Sequence, residues 1–144
     1  MFPNSSFLYN ISGAVYNGLG HLDTSIKSYK KALTINPDHS EAYYNMGVAF
    51  EDQGKLKEAI DVYKKALALD PYYVHAHFSM GNALKDQCQL EEAIQAYTKA
   101  LTLKPDYTEA LNNMSVALQQ ITFKKPIPGL QNIITLLFDR ESHV

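Results

Sequence analysis

The chain has 144 residues, 46% hydrophobic, 19% charged and 11% aromatic, a balance that suits one folded domain or one short repeat array and excludes a disordered tail. Thirteen Lys and Arg against fifteen Asp and Glu leave a net charge of −2, without the basic excess of a nucleic-acid binder. No apolar run approaches the ~18 residues of a membrane span.

The start, MFPNSSFLYNISG, lacks the basic and then purely apolar segments of a secretory leader. The first repeated ending is KKALTINPDH at 30–39; it returns as KKALALDPYY at 64–73 and TKALTLKPDY at 98–107. Pro37, Pro71 and Pro105 therefore stand 34 apart, and Pro3 falls one period earlier. Tyr29, Tyr63 and Tyr97 keep the same step, as do Ala32, Ala66 and Ala100, and Gly13, Gly47 and Gly81, with Ser115 in the fourth place. Tyr16, Phe50, Leu84 and Leu118 share another slot. A repeat of this length predicts stacked supersecondary units.

Each unit reads as two helices. Tyr43, Met46, Gly47 and Phe50 recur at helical spacing, then Leu56, Ala59, Ile60, Tyr63, Ala66 and Leu67. The polar EDQGK turns the chain between them, with Gly54, like Gly20 before it, suited to a left-handed helix end. The proline stops the second helix. Asp38 with Glu41, and Asp106 with Glu109, predict capping boxes for the helices that follow; Tyr72 in that slot predicts a weaker start to the third repeat. Cys88 stands in the glycine turn slot, which predicts strain there. Gly47 and Gly81 mark close helix approach, Ala59, Ala66 and Ala93 a buried face, and large Tyr and Phe side chains are expected to fill the gaps between repeats. After Ile121 the rhythm breaks at TFKKPIPGL. Leu130, Ile133, Ile134, Leu137 and Phe138 then predict a short amphipathic helix that caps the last repeat or docks another domain.

These residues resemble the tetratricopeptide repeat family, whose 34-residue pattern is a large aromatic, Leu-Gly, Tyr, Ala, an aromatic, Ala and Pro. Residues 40–73 supply Tyr43, Met46, Gly47, Phe50, Ala59, Tyr63, Ala66 and Pro71. Residues 74–107 supply His77, Met80, Gly81, Leu84, Ala93, Tyr97, Ala100 and Pro105, and 6–39 match more loosely through Tyr9, Ser12, Gly13, Tyr16, Ser25, Tyr29, Ala32 and Pro37. A fourth first helix, 108–121, carries Leu111, Met114 and Leu118. The resemblance implies an all-α, right-handed superhelical solenoid of antiparallel helix pairs over 1–121, then a Pro-containing loop and capping helix over 122–144. It also implies a concave groove, lined by the first helices, that holds a peptide segment of another protein.

The groove positions implied for the first repeat are Phe7, Asn10, Ala14, Asn17 and Gly18. For the second they are Glu41, Tyr44, Val48, Glu51 and Asp52; for the third His75, Phe78, Asn82, Lys85 and Asp86; for the fourth Glu109, Asn112, Val116, Gln119 and Gln120. Carboxylates outnumber lysine here, so the expected partner is a protein or peptide carrying Lys or Arg beside an apolar side chain. A family subtype grips an acidic chaperone tail with lysines, an arginine and asparagines; Asn10, Ala14, His75 and Ser79 stand at its basic or neighbouring positions, and only Asn45 matches. Asn45 and Asn113 fit the asparagine row of the sugar-transferase superhelices, but Ile11 and Ser79 do not.

No catalytic set assembles. His75 and His77, two apart on a helix, face differently and make a poor metal pair; His77 is expected in the core. Cys88 reads as a turn thiol, and as the only cysteine it excludes an intrachain disulfide and fits a reducing, cytosolic setting. No glycines form a phosphate loop. The Asn-x-Ser sequons at Asn4, Asn10 and Asn113 matter only in a secreted protein. The expectation is thus a non-catalytic scaffold without cofactor, nucleic acid or membrane partner. The alternatives are self-association through solenoid ends or the 130–138 stripe, and the repeat region of a larger transferase-type enzyme. Pro3 and Asn4 at an end-of-repeat slot, and the C-terminal ESHV, lead to the expectation of either a piece of a longer chain or a small array with residual ends.

Overall fold

The computed structural model describes residues 4–124 and 129–142. Eight helices follow in order: α1 (Ser6–Gly18), α2 (Leu22–Ile35), α3 (Ser40–Asp52), α4 (Leu56–Leu69), α5 (Val74–Asp86), α6 (Leu90–Leu103), α7 (Thr108–Lys124) and α8 (Leu130–Ser142). Pro3 and the prolines at 126 and 128 lie outside the described residues.

Each pair is held by a glycine facing a tyrosine. A β-carbon on Gly13 would stand 2.5 Å from the Tyr29 ring, and one on Gly81 2.7 Å from the Tyr97 ring; Gly47 meets Tyr63 in the same way. Those three tyrosines are essentially fully buried. They fill the space inside each helix pair, where the glycine admits them, and Tyr29 also reaches Met46, Ala49 and Val62 of the next pair. Neighbouring pairs meet on fully buried alanines, among them Ala42, Ala76 and Ala110. Burying these apolar groups is the main favourable term in folding.

The backbones of the odd-numbered helices approach their next odd neighbours, whereas those of α2, α4 and α6 stay apart among the described residues. The stack therefore curves, with the odd helices on the inner wall and the even helices outside.

The turns within pairs hold left-handed residues as the spacing predicts: Gly20 at φ 78°, Gly54 at φ 74° and Cys88 at φ 61°. In each, the residue after the left-handed one donates back into the preceding helix, as from His21 N to Tyr16 O at 2.9 Å.

The expected capping boxes are not there. The cap residues are His39 and Tyr73, one position later than predicted, and neither caps through its side chain. Instead Asn36 Oδ1 accepts from the Asp38 amide (3.1 Å) and Asp70 Oδ1 from the Tyr72 amide (3.0 Å). The residue before the proline thus folds the turn, an Asx arrangement that spends the extra residue. Tyr72 consequently costs the third repeat no cap. At Asp106 the Thr108 hydroxyl donates to the backbone carbonyl, and among the described residues no such side-chain contact forms.

The break after Ile121 comes late. α7 runs on through Thr122, Phe123 and Lys124, because a proline disfavours helix only in the residue immediately before it. The helix expected near 130–138 forms as α8 and packs on α7. Its predicted stripe is only partly covered: Ile134 is buried, but Ile133 is 49% and Phe138 44% exposed.

Candidate functional site

The inner wall collects most of the predicted groove residues, sorted into three bands. Near the starts of the odd helices lies an aromatic band. Tyr44 tilts against Tyr73, ring centroids 4.9 Å apart, and one repeat later Phe78 meets Tyr107 at 4.7 Å. His75 stands edge-on to Tyr107 at 6.1 Å. Glu41 and Glu109 approach this band: burial and then Glu41 push the Tyr73 phenol up to about 12, and burial and Glu109 raise Tyr107. Tyr73 and Tyr107 were not among the groove positions expected from the sequence; the signal was the recurrence of an aromatic ring at the last position of each repeat (His39, Tyr73, Tyr107).

The middle band is amide. Asn45 Nδ2 donates to Asn10 Oδ1 at 3.0 Å, and Asn113 Nδ2 to Asn82 Oδ1 at 2.8 Å. The Tyr97 hydroxyl also donates to Asn82 Oδ1, at 2.6 Å. Asn10 is buried by its contact, with 3% exposure, so it braces the wall more than it lines it. Asn82 likewise couples a core tyrosine to the next repeat.

The third band, towards the ends of the odd helices, is acidic. Asn17 Nδ2 donates to Asp52 Oδ2 at 3.2 Å. Glu51 lies between, and burial lifts its carboxyl to about 7; the Tyr63 hydroxyl opposes that rise, while Asp86 and Asp52 add to it. The Glu51 Oε1, Asn17 Oδ1 and Tyr63 hydroxyl oxygen are buried, and none makes a well-formed hydrogen bond among the described residues. Burial, then the Glu51 charge, also drive the Tyr63 phenol well above its ordinary range. An unpaired buried acceptor is costly, and a donated proton or cation there is correspondingly favoured.

Val48 and Lys85 are half-buried on the same helices, and Asn112 is exposed. Among the described residues no three His, Cys, Asp or Glu side chains gather as a metal-holding group, and no helix is long and apolar enough to cross a membrane.

Comparison with known proteins agrees with this architecture. The tetratricopeptide repeat profile matches residues 40–73 and 74–107, and a related TPR repeat profile matches 13–54. A search of curated proteins by sequence found no match. Among solved structures, the first TPR of Spaghetti (RPAP3) bound to HSP90 peptide SRMEEVD is 26% identical, with a TM-score of 0.81 over 83% of this chain and 95% of that one. The first TPR domain of human RPAP3 is 27% identical, TM-score 0.80, over 85% and 97% of the two chains. MamA is 26% identical, TM-score 0.83, over 95% and 71%.

Proposed function

Because this chain belongs to the tetratricopeptide repeat family, a family of protein-interaction scaffolds, we propose that its inner wall binds an extended segment of another protein. The favoured segment carries a lysine or arginine a short distance from an apolar side chain. The observation that carries this reading is the Glu51 carboxyl, part-buried beside Asp52 and Asp86 and without a well-formed hydrogen bond to its Oε1 among the described residues. A cation placed beside that carboxyl would be held by the combined charge of Glu51, Asp52 and Asp86. The apolar neighbour would lie on the Tyr44–Tyr73 and Phe78–Tyr107 rings. The HSP90 peptide held by the Spaghetti repeat is acidic at its Glu-Glu-Val-Asp end; the same end on this wall would meet like charge.

The test is a titration of two fluorescent peptides, Lys-Lys-Phe-Lys and Glu-Glu-Phe-Glu with blocked ends, at low and high salt. The proposal expects the basic peptide to bind and to weaken as salt screens the carboxylates. Tighter binding of the acidic peptide, or a basic-peptide affinity indifferent to salt, contradicts it.

A second reading is self-association through α8, favoured by the exposure there of Ile133, Leu136 (68%) and Phe138. Light scattering over a concentration series decides it: a mass that stays monomeric removes this reading.

A further inference from the structure

The outer face holds a second feature, unrelated to the inner wall. The backbones of α4 and α6 stay apart, and a gap remains between them above the shared core, floored by α5. Two cavities of about 510 and 520 Å³ occupy it and share Lys64, Met80 and Lys99, so they form one groove. Its more apolar part is lined by Leu67, Pro71, Met80 and Leu103, with His77 beneath and Lys64 and Lys99 on the rim.

The repeats themselves show what this niche is shaped for. His77 occupies the position that Tyr43 and Tyr9 hold one and two periods earlier. Those tyrosines lie under a lysine: Lys31 Nζ is 5.6 Å from the Tyr9 ring and Lys65 Nζ 5.8 Å from the Tyr43 ring. Tyr43 also packs on the cluster containing Met46, beside Leu33. In the third repeat, Lys99, Met80 and Leu67 stand where Lys65, Met46 and Leu33 stood. The ring is absent. His77 has withdrawn into the core at 5% exposure, where its Nε2–H donates to the Pro71 carbonyl at 2.9 Å. Its Nδ1, the acceptor in that tautomer, is buried with no hydrogen-bond partner among the described residues. Among the described residues Lys99 has no ring beneath it.

We infer that this outer groove is a second docking site, for a partner segment presenting an aromatic side chain flanked by carboxylates. The incoming ring takes the place that Tyr9 and Tyr43 fill in their own repeats, between the apolar floor and the Lys99 ammonium. The flanking carboxylates pair with Lys64 and Lys99, the only Lys, Arg, Asp or Glu side chains lining the apolar part of the groove, while Lys57, Asp61 and Glu92 line its other part. The cavity volume is ample for one aromatic side chain and the backbone beside it. The preference is the reverse of the inner wall's, so the two faces would take different partners at once.

The test is an NMR titration of the whole isotope-labelled chain with the blocked peptide Glu-Asp-Tyr-Glu, and with Glu-Asp-Ala-Glu as control. The expected result is saturable shifts at Leu67, Met80 and Leu103, much weaker with the control. His77→Tyr refills the niche with the residue two sister repeats already carry, so it should fold, which its melting curve checks. It should weaken the tyrosine peptide by about tenfold or more, as a competing ring would. Lys99→Ala, a surface change, should weaken it about threefold. Absence of shifts at millimolar peptide overturns the inference. So do shifts confined to the inner wall, equal binding of the two peptides, or undiminished binding by His77→Tyr. Failure of the basic peptide on the inner wall would leave this result untouched, since neither His77 nor Lys99 belongs to that wall.

Discussion

Gly81→Ala sets two effects of known sign against each other. In an exposed helix interior, replacing glycine by alanine stabilises by about 1 kcal/mol, through lower chain entropy in the unfolded state. At Gly81 the new methyl would stand 2.7, 2.8 and 3.1 Å from three carbons of the Tyr97 ring. Ordinary contact begins near 3.4 Å, so the ring or the helix must move by more than half an ångström. The ring is poorly placed to yield. It is fully buried, and its hydroxyl is tied to Asn82, which is tied in turn to Asn113. Overpacking of this kind costs about 2–3 kcal/mol at the upper end of its range, leaving a net loss of about 1–2 kcal/mol. The control is Gly18→Ala: that glycine ends α1 with nothing within 4 Å of the added carbon, and it should be neutral or slightly stabilising. Urea unfolding followed by circular dichroism reads both. If Gly81→Ala is as stable as Gly18→Ala, the close approach of helix and ring does not govern packing within the pairs. A Tyr97→Leu background should erase most of the Gly81→Ala penalty, which isolates the contact.

Other outcomes follow from single residues. Cys88→Gly should raise stability by about 0.5–1 kcal/mol, since an L-residue at φ 61° carries a left-handed penalty that glycine's larger unfolded entropy only partly offsets; thermal melting checks it. Asn82→Ala strands the Tyr97 hydroxyl and the Asn113 amide together, and should cost about 2 kcal/mol in urea. Glu51 makes stability pH-dependent. Its folded pKa is raised to about 7, so between the ordinary carboxylate range and pH 7 the folded state holds the extra proton. Stability should therefore fall as pH rises through that window and level off above it. Glu51→Gln should flatten the profile and stabilise the protein at pH 8 by about 1 kcal/mol, after allowance for solvent screening of a partly exposed group.

The period of 34 made the pairing legible, because each proline stops a helix and each glycine admits a tyrosine at fixed offsets. Helix starts at 6, 40, 74 and 108 followed from it directly. The caps did not, because Asn36 and Asp70 fold the preceding turns by accepting from the Asp38 and Tyr72 amides, and α3 and α5 then start one residue later than a cap at those positions requires. The end of α7 was hidden because the first proline of TFKKPIPGL acts on one residue only, sparing Thr122 to Lys124. The inner wall was legible as a set of positions but not as a network. Its asparagine bonds join residues 35 and 31 apart, Asn10 to Asn45 and Asn82 to Asn113, and these are offsets that no single repeat displays. The raised Glu51 was invisible for a similar reason, since its burial comes from the packing of neighbouring repeats and no sequence position encodes that.

The most direct measurement is an NMR map of the basic peptide on the labelled chain. A segment held by the inner wall shifts Tyr44, Glu51, Phe78 and Asp86, all on α3 and α5, and leaves α4 and α6 still. Shifts gathered on α4 and α6, or none at saturating peptide, would contradict the assignment of the groove.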